Sequence, residues 1–242
     1  MNILIEPLAY LILISPLLII GKKKDNWEKH YLIVFALYMI LDYVVIVLPI
    51  HFEYLDFIDL KKNWTGKIFS YVLAAVFLLS YKRIPLKEFG LTLVQKEGSR
   101  SFAVKTTIII LIFMIGYCFF IGRHKASIEN IMFQLIMPSI VEEIADRGVL
   151  LTLLSMIFIS NLKIGKTYFG MGVIITAVLF GLFHGLNIKN DLSMTMNWVL
   201  FIYTGVLGFV FALVKERTGS LVYPVLLHII VNIVPNTMGY VF

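Results

Sequence analysis

Apolar residues run along this chain in long blocks separated by short polar stretches, and the blocks set the expected architecture. Eight blocks lie near residues 3 to 20, 31 to 50, 67 to 82, 104 to 122, 131 to 158, 168 to 186, 196 to 214 and 221 to 241. Each approaches the roughly 20 apolar residues that an α-helix needs to cross a bilayer, and the third is the shortest. The pattern predicts an all-α polytopic membrane protein of about eight transmembrane helices, with residues 1–242 forming one membrane domain around an intramembrane cavity. No internal repeat of the kind found in inverted-repeat transporters is visible.

The connections carry the charge. Assigning loops alternately to the two sides puts 14 Lys and Arg in 21 to 30, 82 to 105, 159 to 167 and 215 to 219. Six lie in 51 to 67, 123 to 130 and 187 to 195, and Arg147 falls inside a span. Basic loops stay cytoplasmic, so this asymmetry predicts both termini outside. The longest connection, 82 to 105, with Pro85, Gly90 and Gly98, is read as carrying a short interfacial segment. The loop at 51 to 62 mixes Phe52, Tyr54, Leu55 and Phe57 with Glu53, Asp56 and Asp59, which fits a half-buried interfacial turn of helix.

Composition agrees with the pattern: 60% of residues are hydrophobic and 15% charged, with a mean hydropathy of +0.90, well beyond soluble-domain usage. The formal charge of +6 is spread over short loops, where it acts as a topology determinant and gives no reason to expect nucleic acid as a partner. Membrane lipid is the expected surroundings, and short loops with compact length suggest a prokaryotic plasma membrane. The one cysteine, Cys118, excludes an intrachain disulfide and a Cys-based metal cluster, and is read as packing. The first apolar block ends at Lys22, Lys23 and Lys24 without a small-residue cleavage site, so it is expected to be a retained helix.

Ionisable groups cost at least about 2.5 kcal/mol at the bilayer centre by insertion scales, so those inside the spans single themselves out. Glu6 and Asp42 stand alone and are read as structural, Glu6 by snorkelling to the interface and Asp42 by pairing across helices or staying protonated. The fifth span is different, because it reads Pro138-Ser-Ile-Val-Glu142-Glu143-Ile-Ala-Asp146-Arg147-Gly148. Glu143 and Arg147 are one helical turn apart and are expected to pair, while Glu142, on a different part of the helix surface, faces a cavity where it can do chemistry. The plainer reading is a purely structural charge cluster.

Two histidines follow in later spans. Phe180 and His184 share a helix face, as do His228 and Asn232. Gly181 and Gly185 form a small-xxx-small pair that lets a neighbouring helix approach beside His184. A lone membrane histidine is more often an interhelical hydrogen-bonder than a catalyst, but two of them with Asn232 and a glutamate pair favour catalysis. Pro138 and Pro224 stand four residues before Glu142 and His228, so each frees a backbone carbonyl, of Gln134 or Ser220, unless it lies in the first turn of its helix.

Glu142-Glu143-x-x-x-Arg147, Phe180-x-x-x-His184 and His228-x-x-x-Asn232, in this order on separate hydrophobic helices, resemble the motifs of the CPBP (CAAX protease and bacteriocin-processing, or Abi) family, which includes the type II CAAX prenyl endopeptidases. The run Arg217-Thr218-Gly219-Ser220-Leu221 leading to Pro224 is similar to the approach to the family's third motif, and the resemblance covers roughly residues 126 to 236. It implies an intramembrane glutamic-type protease in which Glu142 is the general base, His184 helps hold the attacking water, and His228 with Asn232 stabilises the oxyanion. Glu143 and Arg147 would hold the constellation in shape. Asp146 departs from the family pattern, where the position before the arginine is usually apolar or aromatic. There it either opposes ionisation of Glu142 by like-charge repulsion or is neutralised by Arg147.

The chemistry also follows from residue types. Amide hydrolysis needs a base for water, donors for the oxyanion and an acid for the leaving amine, and Glu142, Asn232 and the two histidines supply them. Ser139 and Ser220 lie near the motifs but lack the context of a known nucleophile. No cofactor or metal is expected, and the substrate class is a membrane-associated peptide or protein. Within enzymes the rival is a zinc protease using Glu142, His184 and His228, although no His-Glu-x-x-His helix is present. Outside enzymes the rivals are a proton-coupled transporter and a membrane scaffold or immunity factor.

Overall fold

The computed structural model describes residues 3–58, 60–121, 125–189 and 191–241; Asp59 and Arg123, both in loops weighed above, lie outside the described residues. The helices are α1 (Ile5–Ile20), α2 (Lys29–His51), α3 (Trp64–Ser80), α4 (Arg100–Ile121), α5 (Ile128–Ile136), α6 (Leu151–Ile157), α7 (Met171–Gly185), α8 (Trp198–Thr218) and α9 (Val222–Val241). A π-helical segment, Met137–Leu150, joins α5 to α6 without a break. The fold is all-α, with two small antiparallel hairpins in the connections: β1 (Leu162–Ile164) with β2 (Thr167–Phe169), and β3 (Leu186–Ile188) with β4 (Met194–Met196).

By length and composition α2, α4, α8 and α9 can cross a membrane, while α1, α3 and α7 are apolar but shorter. The outward faces fit a lipid environment. On α4, Ile108, Ile109, Ile112, Phe113, Phe119 and Phe120 are exposed, and on α8 so are Val199, Ile202 and Val206. An apolar patch on this scale is not sustained in water. Inside, one core joins α1, α2, α6 and α7 through Tyr10, Ile14, Phe35, Met39, Leu153, Leu154, Ile175 and Leu179. A second joins α4, α8 and α9 through Met114, Leu207, Phe211, Leu227 and Val231. Cys118 is buried.

The connections sort to two ends. At the basic end the α1–α2 loop bonds to the residues after α6, through Lys24 N to Ile157 O and Ile159 N to Lys22 O. There too the 81–99 connection bonds to the α8–α9 turn, through Lys96 N to Thr218 O and Leu221 N to Gly90 O. Arg217 reaches both Lys166 O and Gly98 O. At the other end Lys62 N donates to Glu129, and Asn130 Nδ2 donates to Asn236 Oδ1 near the end of α9. The connection between α3 and α4 is irregular, and the loop after α2 holds a 3-10 turn, Glu53–Leu55, whose Tyr54 is exposed, not half-buried.

The π-helical segment has a local cause. Pro138 sits at its start and cannot donate a backbone hydrogen bond, and the Ser139 hydroxyl donates to Gln134 O at 2.7 Å instead. At the other end Leu151 N donates to Asp146 O, a five-residue step. Pro224 behaves differently: it lies in the first turn of α9, where a missing N–H costs nothing, and Ser220 O accepts from the Thr218 hydroxyl at 3.1 Å.

Candidate active site

The π-helical segment carries the charge cluster inward. Glu143 and Arg147 are fully buried, with Arg147 Nη1 donating to Glu143 Oε1 at 2.9 Å. The guanidinium also donates to Gly208 O at 3.3 Å and lies 4.4 Å over the Phe180 ring. These contacts replace much of the water that a buried cation loses. Asp146 Oδ2 is 3.4 Å from the same Nη1, so Arg147 partly balances two carboxylates.

Glu143 has a second partner. His228 Nδ1 donates to its Oε1 at 2.8 Å. A carboxylate only accepts, so the ring proton is fixed on Nδ1 and Nε2 is turned toward Glu142, 4.0 Å from its Oε2. The His228 ring is buried against Phe180 and Phe211.

Glu142 lines a cavity of about 200 Å³ together with Asp42 from α2, Lys67 and Ser70 from α3, Asp146, and Phe180 and His184 from α7. Its Oε1 is held by Lys67 Nζ at 2.6 Å, whereas its Oε2 is buried without a hydrogen-bond partner. Asp42 accepts from the Ser70 hydroxyl at 2.6 Å. His184 is exposed at the end of α7, with Nδ1 donating to Phe180 O at 2.8 Å, which leaves Nε2 free to accept.

A second cavity, of about 450 Å³, abuts the first and shares Tyr43, Phe183 and His184 with it. Glu6 lines this outer cavity and accepts from the Tyr43 hydroxyl, so it is paired with α2 and does not snorkel alone. The Gly181 and Gly185 pair does admit a close neighbour, since a Cβ there would stand 2.8 Å from Phe201 O and 2.7 Å from Phe201 Cβ of α8.

Asn232 stands apart from this arrangement. Its Nδ2 is 3.5 Å from the Ser139 hydroxyl, and it does not line the cavity that holds Glu142. Among the described residues no group of three His, Cys, Asp or Glu side chains comes together as a metal-ligand set, and the ammonium of Lys67 stands against Glu142.

Sequence reasoning missed Lys67, whereas Asp42, expected to pair across helices or stay protonated, accepts from Ser70 of α3. The apolar block that begins near 67 leaves Lys67 at the edge of the preceding loop. Asn63, whose side chain caps Gly66 N, was the available signal that the helix starts earlier and carries Lys67 in its first turn.

An apolar helical bundle with buried carboxylates and the buried His228 beside a small cavity defines the class: an integral membrane protein with ionisable groups gathered in its interior. The family model described as type II CAAX prenyl endopeptidase Rce1-like matches residues 124–234, so this part of the chain is similar to the CPBP, or CAAX protease, family. No curated protein and no solved structure matches the chain. The matched residues include Glu142, Glu143, Arg147, His184, His228 and Asn232, while Asp42 and Lys67 come from outside them.

Proposed function

We propose that this protein is an intramembrane endopeptidase that hydrolyses a peptide bond in a membrane-associated peptide or protein, with Glu142 as the general base. The observation that carries the reading is the state of the Glu142 carboxylate. One oxygen is tied to Lys67, and the other is buried, unpartnered and turned toward His228 inside a cavity that His184 also lines. A buried acceptor without a partner calls for a ligand, and in a hydrolase that ligand is water.

In this mechanism Glu142 Oε2 takes a proton from a water molecule, and the hydroxide adds to the scissile carbonyl carbon. The carbonyl oxygen becomes an oxyanion, for which the Asn232 amide, once it leaves Ser139, supplies the N–H donor, while His228 Nε2, whose ring proton sits on Nδ1, accepts from the attacking water. Collapse breaks the C–N bond, and the proton passes from Glu142 to the leaving amine. Glu143 fixes the His228 tautomer, and Arg147 holds Glu143. Eight alternating helical rods with both termini outside would leave the basic end cytoplasmic and bring water through the outer cavity.

The test is cleavage of a fluorogenic peptide ending in a farnesylated CAAX sequence, by protein in liposomes. Glu142→Gln keeps size and shape but cannot act as a base, so turnover should fall by about 10²-fold or more. Full turnover by a folded Glu142→Gln protein removes Glu142 from the mechanism.

A further inference from the structure

The family-matched part of the chain does not complete the cavity, since the cation that faces Glu142 comes from α3. We propose that Lys67 is a positioning residue that keeps Glu142 ionised and fixes its Oε2 as the oxygen available to water; this rests on Glu142 being the base.

The local sequence delivers Lys67 to that place. Asn63 caps α3 by accepting from Gly66 N at 2.9 Å, and its Nδ2 donates to Ile46 O at 2.8 Å, which ties the start of α3 to α2. Gly66 makes the approach possible, because a Cβ there would lie 2.2 Å from Ile46 O. Lys67 follows in the first turn, and its side chain crosses to the π-helical segment, with 15% of it exposed against 17% for Glu142.

Among the described residues, the charges around Glu142 leave no other cation for this task. From its own helix Glu143, Asp146 and Arg147 are committed to one another, and α2 contributes Asp42, a further carboxylate. From α7 and α9 come His184 and His228, whose Nδ1 protons are already given to Phe180 O and Glu143. Without Lys67, three carboxylates would face one cavity with only a shared guanidinium nearby, which disfavours an ionised base.

A purely neutralising lysine does not account for the geometry. It bonds to one oxygen only, and the other is left buried and free at 4.0 Å from His228 Nε2. That division is what a base needs: one oxygen anchored so that the lone pairs of the other are aimed.

The experiment compares Lys67→Met, Lys67→Arg and Lys67→Ala in liposomes with the farnesylated peptide, and reads the carboxylate of Glu142 by infrared difference spectra against Glu142→Gln. Lys67→Met should lower kcat by about 10²-fold with KM changed by no more than about threefold, and should convert the Glu142 band from carboxylate to carboxylic acid. Lys67→Arg should keep much of the rate and the carboxylate band. Methylammonium should restore turnover to Lys67→Ala by filling the vacated site. The proposal is overturned if Lys67→Met keeps the carboxylate band, whatever its rate. It is equally overturned if kcat is lost but neither arginine nor methylammonium recovers any of it, because the lysine then serves packing. If Glu142→Gln retains full turnover, the base assignment fails separately, and the infrared band alone decides whether Lys67 holds Glu142 ionised.

Discussion

His228 Nδ1 donates to Glu143 Oε1 at 2.8 Å, and that one carboxylate oxygen also takes Arg147 Nη1 at 2.9 Å. Glu143 is therefore the hinge between the structural ion pair and the histidine that faces Glu142. Removing it costs both stability and histidine orientation, whereas removing Arg147 costs mainly stability.

Glu143→Ala and Arg147→Ala should each destabilise the protein by about 3–5 kcal/mol, since each leaves a buried partner uncompensated, and the double variant should lose less than the two losses combined. Thermal unfolding in detergent measures the cycle. Strictly additive losses would mean that the two side chains are not energetically coupled.

Gly66→Ala tests how α3 meets α2. The added Cβ would stand 2.2 Å from Ile46 O, a backbone atom that cannot swing aside, so α3 must shift. Overpacking of this kind costs about 1–3 kcal/mol. The shift also draws Lys67 away from Glu142, so turnover should fall alongside the thermal midpoint. Gly66→Ala with unchanged turnover and stability would show that the first turn of α3 yields freely.

Much of the fold was legible because apolar blocks and Lys/Arg loops are strong one-dimensional signals. The block expected at 31 to 50 became Lys29–His51, and that at 221 to 241 became Val222–Val241. The Glu143–Arg147 pair was legible from their spacing, and Gly181 with Gly185 from their period. The π-helical segment was not, because Pro138 signals only a missing donor and Ser139 supplied the replacement in a way no periodicity reports. Cross-helix partners were also hidden. Nothing in the sequence around Asp42 or Lys67 says that α2 and α3 pack against the glutamates, and the i,i+4 relation of His228 to Asn232 suggested a partnership where the structure gives His228 to Glu143 and Asn232 to Ser139.

Metal independence is a separate prediction. Lys67 donates to Glu142 Oε1, and a bound divalent ion would have to share that carboxylate with an ammonium 2.6 Å away. Chelators should leave peptide cleavage intact. Stoichiometric zinc in purified active protein, with activity lost on its removal and regained on its return, would transfer the assignment to a zinc protease.

Asn232 carries the last prediction, because its proposed role requires it to change partners. Its Nδ2 is 3.5 Å from the Ser139 hydroxyl, at the long limit of a hydrogen bond, so little is lost when the amide turns to a developing oxyanion. The Ser139 hydroxyl remains satisfied through Gln134 O. Removing one oxyanion donor costs about 2.7–4 kcal/mol in the transition state, so Asn232→Ala should lower kcat by roughly 10²- to 10³-fold. KM should change far less, since the donor meets charge that exists only during reaction. Asn232→Asp preserves shape but replaces the donor with an acceptor, and should be at least as damaging. Steady-state kinetics decide the matter. An aspartate variant as active as the parent, or an alanine variant that raises KM at constant kcat, would make Asn232 a packing or binding residue whose partner is Ser139, and the oxyanion assignment would then be withdrawn.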